Sequence, residues 1–313
     1  MQTSAVVFTE PEHLELSPLA LAPPGEDDVV IEVEWSGIST GTERLLWSGR
    51  MPLFPGMGYP LVPGYESVGR ITQAGARALL RIGQRVFVPG ARCFGPVRSL
   101  FGATAARLVT PAHRVVAIDE EWGERGVLLA LAATAHHALS PTGAAKPDCI
   151  VGHGVLGRLL ARLTMALGGP TPVVWERNPN RRDGTFDYPV TDPSTDARQD
   201  FTAIYDVSGD ATLLDTLIAR LASGGEIVLA GFYDVALAFA FPPAFMREAR
   251  LRVAAEWLPN DLRAVKDLVA RGRLSLDGLI SHREQAQQAA AAYRTAFEDP
   301  TCLKMILDWR SRS

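Results

Sequence analysis

The chain has 313 residues, 47% of them hydrophobic and 21% charged, and a formal net charge of −4. That length exceeds what one hydrophobic core usually serves, so two domains are expected. The balanced charge, without a basic run or stripe, excludes a nucleic-acid partner, whose phosphates demand clustered Lys and Arg. No apolar stretch approaches the ~20 residues needed to span a bilayer, which excludes a transmembrane segment and leaves a peripheral membrane contact open.

The N-terminus, Met1-Gln2-Thr3-Ser4-Ala5-Val6-Val7-Phe8, lacks a basic region and a long apolar core, and reads as a strand rather than a signal peptide. Val29-Val30-Ile31-Glu32-Val33-Glu34-Trp35 suits a second strand, half alternating and half continuously apolar. Gly and Pro punctuate 37–64 densely. Val68-Gly69-Arg70-Ile71 and Arg85-Val86-Phe87-Val88-Pro89 read as further short strands, so the first part of the chain predicts a β-rich, barrel-like domain.

The texture changes near Trp122. An Ala-rich apolar stretch, 127–139, reads as a buried helix. Cys149-Ile150-Val151 is a short strand, and Val155, Leu156, Leu159, Leu160, Leu163 and Leu167 recur at helical spacing after it. Val173-Val174-Trp175, 203–207, 227–230 and 251–254 read as strands, with a helix carrying Leu213, Leu214, Leu217, Ile218 and Leu221. Such alternation predicts a parallel sheet with helices on both faces. The polar stretch 178–200 reads as a degenerate β-α unit. From Asp261 the chain is helical again, and the Ala-rich tail 284–297 is predicted to be a helix. Cys93, Cys149 and Cys302 are far apart, have no metal-ligand spacing and give no disulfide framework, which fits a reducing cytoplasm.

Gly152-His153-Gly154-Val155-Leu156-Gly157 follows a predicted strand and opens a predicted helix. In that context Gly-x-Gly-x-x-Gly is a dinucleotide fingerprint. The first glycine permits the tight turn, the second lets the backbone approach a pyrophosphate, and the third lets helix and strand pack closely. The helix N-terminus faces the phosphates. His153, inside the loop, is expected to meet cofactor or solvent. Glu176, at the end of the next strand, would accept from both ribose hydroxyls and repel a 2′-phosphate, favouring NAD. Arg177 beside it is the complication, since a guanidinium welcomes that phosphate.

The chain resembles the medium-chain dehydrogenase/reductase superfamily over nearly its full length. Gly64-Tyr65-Glu66 stands where that family has Gly-His-Glu. Tyr205-Asp206-Val207-Ser208-Gly209 and Gly224-Gly225-Glu226-Ile227-Val228-Leu229-Ala230-Gly231 resemble its later Rossmann strands, and Leu279-Ile280-Ser281-His282-Arg283 its C-terminal return. The resemblance implies an α/β fold: a GroES-like β-rich domain over 1–122, a Rossmann doubly wound parallel sheet binding NAD over 123–262, and a segment 263–313 returning to the first domain. It implies that Ser208 and Gly231 join the cofactor site, and that the chain forms a homo-oligomer, a dimer or tetramer, through its Rossmann domains.

A narrower resemblance is to the branch that oxidises the ring-A hydroxyethyl group of bacteriochlorophyllides. It rests on Ser36-Gly37-Ile38-Ser39-Thr40-Gly41-Thr42-Glu43, on Trp47-Ser48-Gly49-Arg50-Met51-Pro52, and on the run from Phe54 to Glu66. It implies a tetrapyrrole substrate. Trp47, Met51, Phe54, Met57 and Tyr59 would wall an apolar slot for the macrocycle, unless they simply pack the barrel. Arg44 and Arg50 are candidates for its carboxylates.

Zinc-dependent relatives hold the metal with Cys, His and Cys. Those positions fall here near Ser39 or Thr40, at Tyr65, and near Ala130, so no metal is expected. A proton acceptor is still needed as hydride leaves the carbinol carbon. Tyr65 is the first candidate, against a reading as a packing residue. The hydroxyls of Ser39, Thr40 and Thr42 would relay the proton, and Glu43 and Glu66 would orient the relay or act as base. His136 and His137 compete as bases, or serve as structural residues at a helix end. Two other functions fit the same fold: a zinc-free quinone or enoyl reductase, which usually prefers NADPH, and a non-catalytic NAD-binding sensor.

Overall fold

A computed structural model of the chain describes residues 1–53, 55–141 and 143–310. Phe54, expected in the slot wall, lies outside the described residues. Two compact units emerge, Met1–Ala130 with Asp277–Ser313, and Leu131–Leu276.

The first unit begins with β1 (Gln2–Glu10), β2 (His13–Ala20) and β3 (Asp28–Ile38). A short helix α1 (Thr42–Trp47) and strands β4 (Leu61–Pro63), β5 (Ser67–Ala74), β6 (Arg85–Val88), β7 (Arg98–Leu100), β8 (Arg107–Pro111) and β9 (Val116–Ala117) follow. A 3₁₀ stretch, Glu120–Leu128, runs into α2 (Leu129–Leu139), so only the later part of the predicted 127–139 helix is α-helical.

The second unit continues with β10 (Cys149–Val151), α3 (Val155–Ala166), β11 (Val173–Trp175), α4 (Pro179–Arg182), β12 (Val190–Thr191), β13 (Phe201–Asp206), α5 (Leu214–Arg220), β14 (Leu221–Leu229), α6 (Phe241–Met246), β15 (Arg250–Val253) and α7 (Pro259–Ala270). Its strands form one parallel sheet in the order β12-β11-β10-β13-β14-β15. This is the doubly wound order. Cys149 lies opposite Val173 on one side and Ile204 on the other, so the strand order reverses at β10. The glycine loop starts at that switch point, where such sheets take their ligands. Cys149, Ile150 and Val151 are all buried, as befits a central parallel strand. The degenerate β-α unit of 178–200 is reduced to the single turn α4 and the two-residue β12.

The chain then returns to the first unit through β16 (His282–Gln285), α8 (Ala289–Glu298) and β17 (Met305–Asp308). The helix expected over 284–297 is corrected here. Glu284 and Gln285 belong to β16, which pairs in parallel with β17. Strand pairing overrides the helix propensity of the neighbouring alanines, a tertiary effect that local pattern cannot report. Strand β17, with no earlier counterpart, lies antiparallel to β3, with Met305 opposite Ile38. The first unit thus holds a sheet ordered β16-β17-β3-β5-β6-β9, with β8 also on β3, and a smaller one ordered β2-β1-β4-β7. Their shared core includes Phe8, Ile31, Leu61 and Leu108. Helix α8 adds Ala289, Ala292, Tyr293, Ala296 and Phe297, which helical spacing places on one face. Among the described residues no helix is long and apolar enough to cross a membrane.

Candidate functional site

In the first unit the end of β3 and the strand-joining turn after β4 converge. Gly64 sits at φ +96°, in the left-handed region that favours glycine, and a side chain there would run into Thr104. The turn that Gly64 permits presents Tyr65. Its hydroxyl donates to Ser39 Oγ at 2.6 Å, and its ring meets Phe101 edge to face at 5.5 Å. Glu43, in the first turn of α1, is fully buried. Its Oε1 accepts from the Ser39 backbone N–H at 3.2 Å and its Oε2 from the Tyr293 hydroxyl at 2.6 Å. Glu66 is equally buried and its Oε2 accepts from Lys304 Nζ at 2.7 Å. The same ammonium donates to the Ile38 carbonyl at 3.1 Å.

Burial dominates the electrostatics. It pushes the Glu43 carboxyl up to about 8, with the Glu66 charge adding to the rise and the Tyr293 hydrogen bond opposing it. The phenol of Tyr65 is driven well above its ordinary range by burial and by the Glu66 carboxylate. Tyr65 is therefore a neutral hydroxyl at neutral pH. Of the two routes open to a phenol, a depressed pKa or a relay, only the relay agrees with this site. Thr40 and Thr42 are partly buried close to Ser39 in the chain.

Sequence reasoning missed Lys304 and Tyr293. Lys304 carries a signal in hindsight, as a lone charge inside the apolar run Leu303-Lys304-Met305-Ile306-Leu307. Tyr293 lies among alanines on α8 and carries none.

The segment 47–59 gives a mixed result. Met51 is buried, and Trp47, Met57 and Tyr59 are partly buried against the core of this unit. Trp47 packs at a tilt against Phe297, ring centroids 5.6 Å apart, and the Tyr59 hydroxyl donates to the Leu46 carbonyl. These four residues pack the barrel. Arg44 and Arg50 are exposed, Arg50 donating to Ser48 Oγ at 3.3 Å.

In the second unit the glycine loop is built as its sequence requires. Gly152 has φ +102°. A side chain at Gly157 would strike the Gly152 carbonyl, so helix and strand are in direct contact there. A side chain at Gly154 would meet nothing within 4 Å. The second glycine thus opens onto free space at the N-terminus of α3, where Val155 and Leu156 form the first turn. That is the space a dinucleotide phosphate would need. Gly231 closes on the Val207 backbone, and Ser208 lies exposed after β13 with its backbone N–H on Asp206 Oδ1 at 2.8 Å.

Glu176 is held in place at the end of β11. Its Oε2 accepts from the His153 N–H at 3.0 Å and its Oε1 from the Asn178 N–H at 2.8 Å. Each oxygen keeps a free lone pair. Arg177 turns to Asp210 Oδ2 at 3.0 Å. The imidazole of His153 is fully buried, away from solvent. Its Nδ1 lies 2.7 Å from the Arg181 carbonyl, its Nε2 lies 3.0 Å from the Tyr188 hydroxyl, and Phe186 packs edge-on at 4.6 Å. The expectation that His153 meets solvent is corrected by this aromatic box. Burial lowers its pKa to about 4.

His136 and His137, in the last turn of α2, share one carboxylate. Their Nδ1 atoms lie 2.8 Å from Asp261 Oδ1 and 2.8 Å from Oδ2. Asp261 also accepts from the Leu258 N–H at 2.9 Å, at the start of α7. This ties the end of one helix to the start of another, with Asp261 suited to a helix N-terminus. The geometry is that of the structural alternative for these histidines.

A strand order of this kind with a glycine loop at its switch point defines a Rossmann-type unit of the dinucleotide-binding class. The pattern of the alcohol dehydrogenase GroES-like domain matches residues 25–120. A dehydrogenase from Rhodobacter capsulatus, described as 2-desacetyl-2-hydroxyethyl bacteriochlorophyllide A dehydrogenase, is 58% identical over 99% of each chain. Its counterpart from Cereibacter sphaeroides, with the same description, is 57% identical, again over 99% of each. Among solved structures, an alcohol dehydrogenase from Escherichia coli complexed with NADH superposes with TM-score 0.83 at 19% identity, over 98% of this chain and 99% of that one. The chain belongs to the medium-chain dehydrogenase/reductase superfamily and, within it, to the family of the 2-desacetyl-2-hydroxyethyl bacteriochlorophyllide A dehydrogenases.

Proposed function

We propose that the chain oxidises the hydroxyethyl group of 2-desacetyl-2-hydroxyethyl bacteriochlorophyllide a to an acetyl group, with NAD⁺ as acceptor and without a catalytic zinc. The observation that carries the substrate is the identity of 58% over 99% of both chains to the Rhodobacter capsulatus dehydrogenase.

The donor set supports the absence of zinc. At the former ligand positions stand two neutral hydroxyls bonded to each other, those of Ser39 and Tyr65, and the buried Ala130. The one nearby carboxylate on that turn, Glu66, already engages the Lys304 ammonium. Three protein ligands of His, Cys, Asp or Glu are the usual minimum for a catalytic zinc, and these residues do not fit one. Support for NAD comes from Glu176, pre-oriented by two backbone N–H groups with lone pairs to spare, and from Arg177, turned to Asp210. Gly152, Gly154, Gly157, Ser208 and Gly231 would hold the dinucleotide. When bound, its nicotinamide ring supplies the acceptor for the carbinol hydrogen, taken as hydride.

The chain's own part is to move the proton. As the carbinol C–H pair leaves and the carbon–oxygen double bond forms, the hydroxyl proton passes to the Tyr65 oxygen. The Tyr65 proton moves in turn to Ser39 Oγ along the 2.6 Å bond, as Ser39 gives up its own hydroxyl proton to solvent water, so both hydroxyls end neutral and one proton leaves the site. A positioned relay of this kind contributes about 10²–10⁴-fold in rate. Glu43 fixes the Ser39 backbone and is the positioning partner of the pair.

The reading extends to assembly and place. Strand β15 is the edge of its sheet among the described residues. Next to it, Phe241, Phe245 and Met246 on α6 are 67%, 65% and 77% exposed, and Val253 on the strand is 75% exposed. An apolar patch beside an open strand edge suits a second copy of the chain, giving a homodimer. The three free, buried cysteines fit a reducing cytoplasm.

The test of this function is turnover of the pigment with NAD⁺. Formation of the acetyl product is expected. Its absence in protein shown to bind NAD would refute the assignment.

A further inference from the structure

We infer that Lys304 is a positioning residue for the reaction proposed above: its ammonium staples together the two chain segments that carry Ser39 and Tyr65. The inference rests on that functional reading.

The geometry is specific. Lys304 Nζ donates to the carbonyl of Ile38, the residue before Ser39, at 3.1 Å, and to Oε2 of Glu66, the residue after Tyr65, at 2.7 Å. Between them the Gly37 N–H donates to the Glu66 carbonyl at 2.7 Å. The hydroxyl pair of Ser39 and Tyr65 sits at the end of this lock. Charge-assisted bonds are the shorter and stiffer kind, and they hold a neutral O–H···O contact in register. Strand pairing delivers the cation, because Met305 lies opposite Ile38 and so places Lys304 beside Ser39. A zinc ion held from both segments would cross-link them. Here an ion pair closes the same link.

Stability alone does not account for the pair. Lys304 and Glu66 are almost completely buried, 1% and 0% exposed. Taking two charges out of water costs about as much as their attraction returns, and an apolar pair of the same volume is often at least as stable. Glu66 Oε1 has no protein partner among the described residues, an arrangement that selection for stability would have repaired. Position accounts for it: the staple fixes where two hydroxyls stand.

The test compares the double variant Lys304→Met/Glu66→Gln, which removes both charges and keeps their volume, with Lys304→Gln. Each is made in the wild-type and in the Tyr65→Phe background. The readouts are kcat and KM with 2-desacetyl-2-hydroxyethyl bacteriochlorophyllide a and NAD⁺, and NAD⁺ affinity. In the wild-type background kcat should fall about tenfold or more, within the range of a misplaced acid/base, with KM and NAD⁺ affinity little changed. In the Tyr65→Phe background the staple variants should cost no further turnover, because the group they position is already gone. Undiminished kcat, an equal loss in both backgrounds, or failure of both variants to fold would each overturn the inference and make the pair neutral or purely structural. If the wild-type chain itself gives no turnover, the functional reading falls and this inference with it. Wild-type turnover with unaffected variants sinks this inference alone.

Discussion

The phenol of Tyr65 donates to the hydroxyl of Ser39 at 2.6 Å, joining the end of β3 to the turn after β4. Both side chains are neutral at neutral pH, and the acidic side chains around them bond other groups than these hydroxyls: Glu43 the Ser39 backbone N–H and Tyr293, Glu66 Lys304. In the proposed reaction this pair passes on the alcohol's proton, where a metal would acidify the alcohol instead.

Tyr65→Phe removes the hydroxyl and keeps the ring against Phe101. Turnover is expected to fall by about 10²-fold, within the usual range for a positioned acid/base. NAD⁺ affinity should hold, because the glycine loop belongs to the other unit. Ser39→Ala should give a smaller loss, since a water can replace an acceptor. Steady-state kinetics and a cofactor titration decide this, and unchanged turnover in Tyr65→Phe would make Tyr65 a packing residue.

Glu43 makes stability depend on pH in a definite direction. Its folded-state pKa of about 8 lies above the ordinary 4.5. Between those values the folded chain keeps a proton that the unfolded chain releases, so stability falls as pH rises through that window and levels off above it. Glu43→Gln resembles the protonated form and removes this slope. Urea unfolding at about pH 5 and about pH 9 should show the wild type losing at least about 1.4 kcal/mol more than the variant, the equivalent of one pKa unit. Parallel losses would mean that Glu43 is ionised in the folded chain throughout.

Much of this was legible from the sequence, and the boundary of legibility is physical. Gly152, Gly154 and Gly157 act through backbone geometry within one loop, so their spacing between a predicted strand and a predicted helix announced the tight turn and the close helix–strand contact. Strands such as Cys149-Ile150-Val151 announce themselves by local apolar pattern. The partners of the site do not. Lys304 reaches Glu66 across 238 residues and Tyr293 reaches Glu43 across 250, separations that no local pattern encodes. His153 misled for the same reason. Its neighbours in sequence are glycines, but its neighbours in space are Phe186 and Tyr188, from a segment too polar and broken to read as a wall. The start of α8 misled in the opposite way, because the alanines after Gln285 hid a strand whose partner, β17, lies further along the chain.

Glu176→Ala tests the choice of cofactor. The carboxylate is expected to accept from the ribose hydroxyls and to repel a 2′-phosphate. The variant should lose NAD⁺ affinity and gain NADP⁺ affinity, with Arg177 freed from competition by the neighbouring charge. Dissociation constants for both dinucleotides in wild type and variant measure it, and an unchanged ratio would remove Glu176 from the cofactor site.

The exposed patch on α6 predicts a homodimer. Phe245→Glu puts a charge into that contact and should shift the chain from dimer to monomer in sedimentation or light scattering, with little effect on its fold. A wild-type monomer, or a dimer indifferent to the substitution, would assign the patch to something else.

The most direct measurement is turnover of 2-desacetyl-2-hydroxyethyl bacteriochlorophyllide a with NAD⁺ by protein stripped of metal with a chelator, followed by pigment absorbance. Conversion to the acetyl pigment at a rate unaffected by added zinc is predicted. A rate that collapses on chelation and returns with zinc would contradict the hydroxyl relay and place a metal in the reaction.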